Sequence, residues 1–429
     1  MDIVVNPART QWRSLCARPS SDNPAVRERV EKIISRVREG GDAALRAIAS
    51  EIDGSVPDSF EVGEEAVREA SEKVSPEVKA AIKAAAANIE AFHRAQMPAR
   101  IEVETAPGVR CIQQPVPIGK VGLYIPGGTA PLFSTVLMLA LPARIALCGE
   151  IVLCTPAGKD GRIAPEVLYA AHFCGVTRIF QIGGSQAIAA MAFGTESVPK
   201  VDKIFGPGNQ YVTTAKQLLG GRTVAIDMPA GPSEVMVIVD ESSDPAFAAA
   251  DLLSQAEHGR DSQVILLSTN ELQAEAVAAE VERQVALLGR ADLAKGALAS
   301  SHAVVFDSVD DIVAFANAYA PEHLIVSTSD PWGIVGQITA AGSVFVGKYT
   351  PESAGDYASG TNHTLPTCGW AHSYSGVNID SFTRKMTIQE ISREGLRSLA
   401  PTIVAMAQAE GLQAHANAAK IRTDEQKKI

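Results

Sequence analysis

Gln255 and His258 stand three residues apart near the end of a predicted helix, in the segment DPAFAAADLLSQAEHGR. Side chains at this spacing share one face of a helix. An amide oxygen and an imidazole on one face can serve as two ligands of one metal ion. The spacing therefore predicts a candidate metal site at the C-terminal end of this helix.

The residues around this helix predict a β-α-β unit. Asp244 is a favourable N-cap, Pro245 suits the first helical position, and Gly259 is expected to end the helix. Apolar runs at residues 235–239 and 264–267 flank the helix and are typical of buried strands.

A carboxylate and an imidazole are adjacent at Glu322 and His323, between a predicted helix at residues 309–318 and a predicted strand at 324–326. Such a pair can act as general acid and general base. The same dipeptide is also common in ordinary surface loops, and the pair alone does not decide between the two interpretations.

Residues 349–367 form a polar stretch, YTPESAGDYASGTNHTLPT, inside a largely apolar chain. Loops of this length are either functional or disordered. Glu352, Asp356 and His363 give this loop more metal-binding capacity than a linker needs.

From residue 120 onward, predicted strands and helices alternate. This alternation predicts an α/β fold with parallel sheets covered on both faces by helices. Glycine-rich turns follow several strands, where such sheets bind ligands, and Tyr124, Gln186 and Asn209 stand at these turns. None of the turns has the GxGxxG spacing, and such turns also serve packing alone. The predicted strands cover residues 121–125, 151–154, 178–182, 203–205, 223–227, 235–239, 264–268, 304–306, 324–326 and 344–346, and the predicted helices cover 131–147, 164–173, 185–192, 245–258, 271–288 and 309–318, with one more ending near 219.

Length and composition limit the class of protein. A chain of 429 residues predicts two to four domains, and a net charge of −11 argues against a nucleic-acid partner. The six cysteines form no CxxC pair and are interpreted as reduced core thiols of a cytoplasmic protein. No signal-peptide pattern and no membrane-spanning apolar run is found. Residues 1–23 are expected to be irregular, and residues 24–49 and 64–93 to form solvated helices.

Taken together, the long motifs of this chain resemble those of histidinol dehydrogenases. The resemblance covers about residues 25–420, in the family order. It rests on the segments GLYIPGGTAPLFSTVLM, KIFGPGNQYVTTAK, IDMPAGPSEV, SQAEHGRDSQ, APEHL, PESAGDYASGTNHTLPT and EGLQAH.

The resemblance implies a role for each matching residue. Zinc would be held by Gln255, His258, Asp356 and His415. Glu322 and His323 would be the acid/base pair, while Tyr124, Gln186 and Asn209 would contact NAD. Ser233, Glu352, His363 and Glu410 would surround the substrate, together with the zinc ligands and the acid/base pair.

The resemblance also implies a fold and a reaction. The expected fold has two related, incomplete Rossmann-like domains, one at residues 24–123 with 235–376 and one, which binds NAD, at 124–234. An N-terminal extended element (1–23), an extended dimerisation element (377–404) and a C-terminal tail (405–429) would complete each protomer. The tail would be exchanged in a homodimer. The implied reaction takes L-histidinol through L-histidinaldehyde to L-histidine with two NAD, the last steps of histidine biosynthesis.

Several alternatives are open at this point. Zinc can polarise the alcohol oxygen, or it can chelate and orient the substrate, as the family reading has it. A thiol near the nucleotide half, Cys111 or Cys148, could form a thiohemiacetal, but a water route needs no thiol. A relative that oxidises another small polyol or amino alcohol, a zinc hydrolase and an inert metal-binding scaffold are further candidates. Glu352 favours an amine-bearing substrate, since a carboxylate would repel an acidic one.

Overall fold

The computed structural model describes residues 1–19, 23–52, 54, 56–127, 131–158, 160–229 and 231–423. These residues form two compact units. The first combines Met1–Gln96 with Ile118–Phe382, and the second combines Met97–Pro117 with the chain from Thr383 onward.

The strands of the described residues form three sheets. Two of these sheets are wholly parallel and belong to the first unit, and the third is antiparallel and belongs to the second. In chain order the strands are β1 (Asp2–Val5), β2 (Ile101–Ala106), β3 (Val109–Pro117), β4 (Lys120–Tyr124), β5 (Glu150–Thr155), β6 (Arg178–Gln181), β7 (Lys203–Phe205), β8 (Ala225–Ile226), β9 (Glu234–Val239), β10 (Gln263–Ser268), β11 (His302–Val305), β12 (His323–Ser327), β13 (Ser343–Val346) and β14 (Thr383–Ile391).

The helices cover both faces of the parallel sheets and complete the second unit. In chain order they are α1 (Arg9–Leu15), α2 (Pro24–Ile52), α3 (Glu64–Lys73), α4 (Pro76–Arg94), α5 (Phe133–Ile145), α6 (Pro165–Cys174), α7 (Gly184–Phe193), α8 (Gln210–Leu219), α9 (Pro245–Ala256), α10 (Glu271–Val285), α11 (Ala291–Leu298), α12 (Val309–Tyr319), α13 (Pro331–Val335), α14 (Glu352–Tyr357), α15 (Ile379–Phe382), α16 (Arg393–Ala409) and α17 (Gln413–Thr423).

The five-stranded sheet has the order β6-β5-β4-β7-β8. It is buried on both faces, as its nearly continuous apolar strands require. Along β5, Ile151 and Leu153 pack into one hydrophobic cluster, whereas Val152 and Cys154 pack into another. The predicted α/β architecture with parallel sheets is confirmed for this half of the first unit.

The six-stranded sheet has the order β1-β11-β10-β9-β12-β13 and is also parallel. Its central strand β9 is fully buried, with Val237 facing one cluster and Ile238 the other. The prediction that residues 1–23 are irregular is wrong for the first 15 residues, because β1 pairs in parallel with β11 and α1 follows it; residues 20–22 of that prediction lie outside the described residues. A four-residue edge strand whose partner lies some 300 residues away leaves no periodic signal in the sequence.

The second unit contains an antiparallel sheet of order β14-β3-β2 together with α16 and α17. Strand β14 is nine residues long and pairs along its whole length with β3. Several apolar side chains of this sheet are exposed, namely Ile101, Val103, Met386, Ile388 and Ile391.

Four helix predictions need correction. The predicted helix at 64–93 is two helices, since Ser75 caps α4 and Pro76 occupies its first position. The predicted helix at 271–288 ends at Val285, and α11 follows. The helix at 245–258 ends at Ala256 with Glu257 as its C-cap, so Gly259 does not end it. The polar loop 349–367 contains the short helix α14.

Some predictions fall outside the described residues. These are Gly128 and Thr129 of the turn after β4, Ala230 of the loop before β9, and residues 424–429 of the predicted tail. Among the described helices, none combines the length and the apolar character that a bilayer crossing requires.

His93 is a fully buried histidine that supports the loop before β14. It lies on α4, and its ring Nδ1 donates to the carbonyl of Ile89 at 2.8 Å. Its Nε2 lies 3.4 Å from Nδ2 of Asn362, which also donates to the carbonyl of Met138 at 2.6 Å. Burial lowers the pKa of His93, because the charged ring would be poorly solvated. The neutral ring therefore stabilises the fold above the pKa of an unfolded histidine, and this contribution is lost as the pH falls through that value.

We therefore expect His93→Gln to reduce the acid sensitivity of the fold. The variant should lose about 1 kcal/mol of unfolding free energy at neutral pH through the missing hydrogen bond. Between about pH 7.5 and 5.5 its unfolding free energy should then fall less than that of the wild type. Urea unfolding in the presence of a metal chelator measures both quantities. His172→Gln, at an exposed position of α6, is the control. An undiminished acid dependence in His93→Gln would contradict this account.

Candidate active site

A cavity of ≈ 530 Å³ in the first unit gathers most of the residues that the sequence singled out. Turns that follow strands of the five-stranded sheet line one side, with Pro126 and Pro207 among them. The beginnings of strands of the six-stranded sheet line the other side. The predicted site residues that line the cavity are Asn209, Ser233, Gln255, His258, Glu322, His323, Asp356 and His363.

The six-stranded sheet meets this cavity with the amino ends of its strands. His323 is the first residue of β12, and Ser233 directly precedes β9. Gln255 lies in the last turn of α9, and His258 follows that helix on the way into β10. Open α/β sheets usually bind ligands at the carboxyl ends of their strands, so this half of the cavity lies at the opposite edge.

His323 has one ring nitrogen anchored and the other free to act. Its Nδ1 donates to the carbonyl of Glu234 at 3.1 Å, which fixes the tautomer. Its buried Nε2 has no hydrogen-bond partner among the described residues and lies 3.7 Å from Oδ1 of Asp356 and 3.9 Å from Oε1 of Glu352. Burial alone would lower the pKa of His323, but the surrounding carboxylates raise it well above its usual value. This nitrogen is therefore placed to take up a proton.

Glu322 is held beside this imidazole by the backbone. Its Oε2 accepts the N–H of Glu234 at 2.9 Å and lies 3.5 Å from Nδ1 of His323. Burial raises the pKa of Glu322, and the neighbouring His323 offsets part of that rise. The chain reaches Glu322 through Ala320, which closes α12 in the left-handed region with φ 52°.

Glu352 and Asp356 lie one turn apart on α14 and interact strongly. Oε2 of Glu352 accepts from the Ser254 hydroxyl and Oε1 accepts from Nε2 of Gln255. Burial, and then the charge of Asp356, raise the pKa of Glu352 to about 8. Burial would also raise the pKa of Asp356, but the nearby imidazoles of His323 and His363 hold it below its usual range. Two carboxyl groups this close disfavour the ionisation of both at once.

The cluster of His323, Glu352 and Asp356 has the geometry of a cation site, since one ligand atom of each lies within 4.8 Å of the others. Oε1 of Gln255 is buried without a hydrogen-bond partner, because the amide nitrogen already donates to Glu352. An orphaned amide oxygen beside carboxylates and an imidazole matches the nitrogen and oxygen ligands that zinc accepts.

Two further histidines border the cavity. His258 is open to solvent through the cavity, yet the surrounding protein lowers its pKa, with Asp356 opposing the shift. The neutral ring that results is the form in which histidine binds a metal. His363 has both ring nitrogens engaged, Nδ1 with the Asp356 carbonyl at 2.9 Å and Nε2 with the Thr135 hydroxyl at 3.2 Å. Burial lowers the pKa of His363 as well.

Tyr124, Gln186 and Asn209 lie where strands of the five-stranded sheet lead into helices. The Tyr124 hydroxyl accepts the N–H of Gly184 at 3.0 Å at the start of α7, and Gln186 is buried in the first turn of that helix. Asn209 caps α8, where its side-chain oxygen accepts two backbone N–H groups. Gly206 has φ 121°, and a side chain there would clash with the backbone of Tyr124, so the turn after β7 requires glycine.

Glu410 and His415 belong to the second unit, where Glu410 caps the end of α16 and His415 lies in α17. Both side chains are exposed. The described residues that line the cavity all belong to the first unit.

Sequence reasoning missed several residues that support this site. Thr135 is one of two hydroxyl residues in the largely apolar helix α5. A hydroxyl group in such a helix was the only feature of the sequence that could have indicated its role. No sequence pattern links Arg18 with Glu234, because they lie 216 residues apart in the chain. Burial raises the pKa of Cys148 to about 11, which argues against the thiohemiacetal alternative for this thiol. Cys111 lies in the second unit.

The fold and the cavity define an α/β enzyme with a buried acid–base cluster between two parallel sheets. The histidinol dehydrogenase family model matches residues 16–423. Histidinol dehydrogenases of Bacteroides fragilis and Aliivibrio fischeri are 54% and 52% identical to this chain, over 100% and 97% of it and 100% and 94% of their own lengths. The crystal structure of histidinol dehydrogenase from Elizabethkingia anophelis matches with a TM-score of 0.95 and 48% identity, over 98% of both chains.

The chain therefore belongs to the histidinol dehydrogenase family. It is an oxidoreductase of histidine biosynthesis that oxidises histidinol. The resemblance read from the sequence motifs is confirmed, and the zinc hydrolase and the inert scaffold are excluded as alternatives.

Proposed function

We propose that this enzyme carries out the zinc- and NAD-dependent, four-electron oxidation of L-histidinol to L-histidine through L-histidinaldehyde. The observation that carries the proposal is the buried, unpartnered Nε2 of His323, which faces the cavity amid the carboxylates of Glu352 and Asp356. A proton acceptor and a concentration of negative charge at one point suit a substrate that is an alcohol and an amine at once.

Zinc is held, in this proposal, by Gln255, His258, Asp356 and His415 of the partner subunit. The orphaned Oε1 of Gln255 and the depressed pKa of His258 support the first two assignments. When bound, the metal supplies chelation of the imidazole and amine of histidinol and so orients the substrate. The tighter cluster of His323, Glu352 and Asp356 is a second possible ligand set. We disfavour it because a metal on Nε2 of His323 would leave the reaction without its base.

Carboxylates and small polar groups bind the substrate. Glu352, fixed by Ser254 and Gln255, would accept an N–H of the substrate amine. Ser233 and His363 border the cavity, and Glu410 comes from the partner subunit with the tail. Zinc beside Glu352 and Asp356 would supply the positive charge that favours their ionised forms.

Glu322 and His323 share the proton transfers of the two half-reactions. His323 removes the alcohol proton through Nε2 while its Nδ1 stays anchored to the Glu234 carbonyl. In the second half, Glu322 accepts a proton from the water that attacks the aldehyde, and the raised pKa of Glu322 makes it a better base. His323 relays the proton released in each half.

NAD binds at the turns of the five-stranded sheet, where Tyr124, Gln186 and Asn209 contact it. The beginnings of α7 and α8 lie at these turns. Helix N-termini present backbone N–H groups and a positive dipole end to a pyrophosphate. NAD supplies two successive hydride acceptors for the two oxidation steps.

The zinc assignment predicts about one metal ion per protomer, as a single four-ligand set requires. His258→Ala and Asp356→Ala should lose zinc and activity together while the far-ultraviolet circular dichroism spectrum is retained. Glu257→Gln, on the neighbouring position outside the cavity lining, is the matched control and should keep both. Metal analysis after dialysis measures the content. Full activity in a metal-free preparation would refute the assignment.

The division of labour between Glu322 and His323 predicts different losses in the two half-reactions. Glu322→Gln should slow histidinaldehyde oxidation by a factor of about 10²–10⁴ and histidinol oxidation far less. His323→Asn should slow both, since both release a proton. Stopped-flow measurement of NADH formation from each substrate separately decides the matter. Equal losses in both halves for Glu322→Gln would contradict the assignment.

We further propose that the enzyme is a homodimer in which the C-terminal tail is exchanged. The exposed apolar side chains of the second unit's sheet, such as Ile101 and Met386, support an interface there. His415 and Glu410 are exposed and free to serve another chain. The five-part domain division stays a prediction. All six cysteines are free thiols, which supports the predicted reducing, cytoplasmic location.

Tail exchange predicts complementation between two inactive variants, His415→Ala and His323→Asn, after unfolding and refolding together. In a mixed dimer, one site takes its body from the His415→Ala chain and its tail from the His323→Asn chain, so every residue there is wild type. Random pairing makes about half of the dimers mixed, which should restore about a quarter of full activity. Mixed dimers that form, as seen by native mass spectrometry with tags of different mass, but stay inactive would reject the exchange.

A further inference from the structure

Arg18 and Glu234 form a buried ion pair behind the cavity. The guanidinium binds the carboxylate in a bidentate manner, with Nε 2.8 Å from Oε1 and Nη2 3.1 Å from Oε2. The side chain of Glu234 is 2% exposed and that of Arg18 is 17% exposed. Arg18 also donates to the Tyr319 carbonyl at 2.6 Å and lies over the Tyr319 ring, while the N–H of Cys368 donates to Glu234 at 2.8 Å. The Glu234 carboxylate thus accepts three hydrogen bonds, two from Arg18 and one from the N–H of Cys368.

The backbone of Glu234 holds both members of the acid/base pair. Its N–H donates to Oε2 of Glu322 at 2.9 Å, and its carbonyl accepts from Nδ1 of His323 at 3.1 Å. The first hydrogen bond orients the carboxylate, and the second sets the tautomer that leaves Nε2 of His323 free. One residue therefore sets the orientation of both groups through its two peptide units.

Neither Arg18 nor Glu234 lines the cavity. We propose that the Arg18–Glu234 ion pair is a positioning device for histidinol oxidation, which anchors the start of β9 so that the Glu234 backbone holds Glu322 and His323 in their working orientation. The inference rests on the proposed roles of Glu322 and His323. It adds Arg18 and Glu234 as residues that act on the reaction only through Glu322 and His323.

The physical reason is the precision that proton transfer demands. A reacting group displaced by about 1 Å can cost on the order of 10²-fold in rate. A bidentate arginine–carboxylate pair fixes distance and angle together, which a single hydrogen bond does not. An ion pair that served stability alone could stand anywhere in the first unit. This one is attached to the residue whose backbone hydrogen-bonds to the side chains of both Glu322 and His323.

The test compares kcat with KM in variants of the pair. Removal of Arg18 alone would leave a buried carboxylate uncompensated and destabilise the fold, so Arg18→Met is combined with Glu234→Gln, which removes both charges. We expect kcat to fall on the order of 10- to 100-fold, with the KM for histidinol and the zinc content within about twofold of the wild type. Arg18→Lys, which keeps the charge but loses the bidentate geometry, should give an intermediate kcat.

The matched control is the bidentate pair of Arg178 and Glu61, which joins the N-terminal region to β6 away from the cavity. Arg178→Met combined with Glu61→Gln should leave kcat and KM unchanged. Thermal melting of all variants separates loss of stability from loss of positioning. If the Arg18 double variant does not fold, Arg18→Lys carries the test, and a wild-type kcat in that folded variant would overturn the inference.

A double-mutant cycle distinguishes positioning from general damage. If the ion pair acts through Glu322 and His323, the Arg18→Met/Glu234→Gln change should lower kcat by less than about twofold in a background that carries both Glu322→Gln and His323→Asn. If the losses in kcat from the two sets of changes multiply, the inference is overturned, while the proposed roles of Glu322 and His323 are unaffected. Wild-type activity in both Glu322→Gln and His323→Asn would instead refute the proposed function, whatever the Arg18 variants do.

Discussion

Three carboxylates, those of Glu322, Glu352 and Asp356, lie 3.5–3.9 Å from the ring nitrogens of His323, and the backbone carbonyl of Glu234 accepts from the same ring. Buried charges are costly unless they are paired or neutralised. Glu234 is paired with Arg18, and Glu322 accepts a backbone N–H and adjoins His323. The ion-pair partners of Glu352 and Asp356 among the described residues are the imidazoles of His323 and His363. The site is thus built around a deficit of positive charge, and a ligand that supplies a cation relieves it.

Helix ends give the two sides of the cavity opposite partial charges. On the side of the six-stranded sheet, α9 and α12 end at the site, and helix C-termini carry partial negative charge. On the side of the five-stranded sheet, α7 and α8 begin at the turns, and helix N-termini carry partial positive charge. One wall thus favours an amine or a metal, and the other favours an anionic cofactor. This opposition explains why the acid–base cluster lies at the amino ends of its strands, against the usual rule for such sheets.

The sequence predicted the elements that are regular and failed where a partner was distant. Every parallel strand predicted after residue 120 is present within a few residues, because each is a short apolar run between turn residues. The Glu322–His323 dipeptide stood out because its two groups are adjacent. By contrast, the roles of β1, Arg18 and Glu234 depend on contacts between residues that lie 200 to 300 positions apart in the chain. A local sequence pattern does not reveal such contacts. The end of α9 was misplaced because Gly259 matched the usual stop signal, while the helix in fact ends two residues earlier than predicted, at Ala256.

The N-terminal segment, residues 1–18, ties the edge of the six-stranded sheet to the site. It pairs with β11 through β1, and Trp12 then packs edge-on against Phe306 and Phe315 beside α12. It ends at Arg18, on Tyr319 and Glu234. Each contact fixes the next, so the position of Arg18 depends on the packing of Trp12 and the pairing of β1. A segment with no periodic pattern of its own is thereby coupled, through one buried carboxylate, to the orientation of Glu322 and His323.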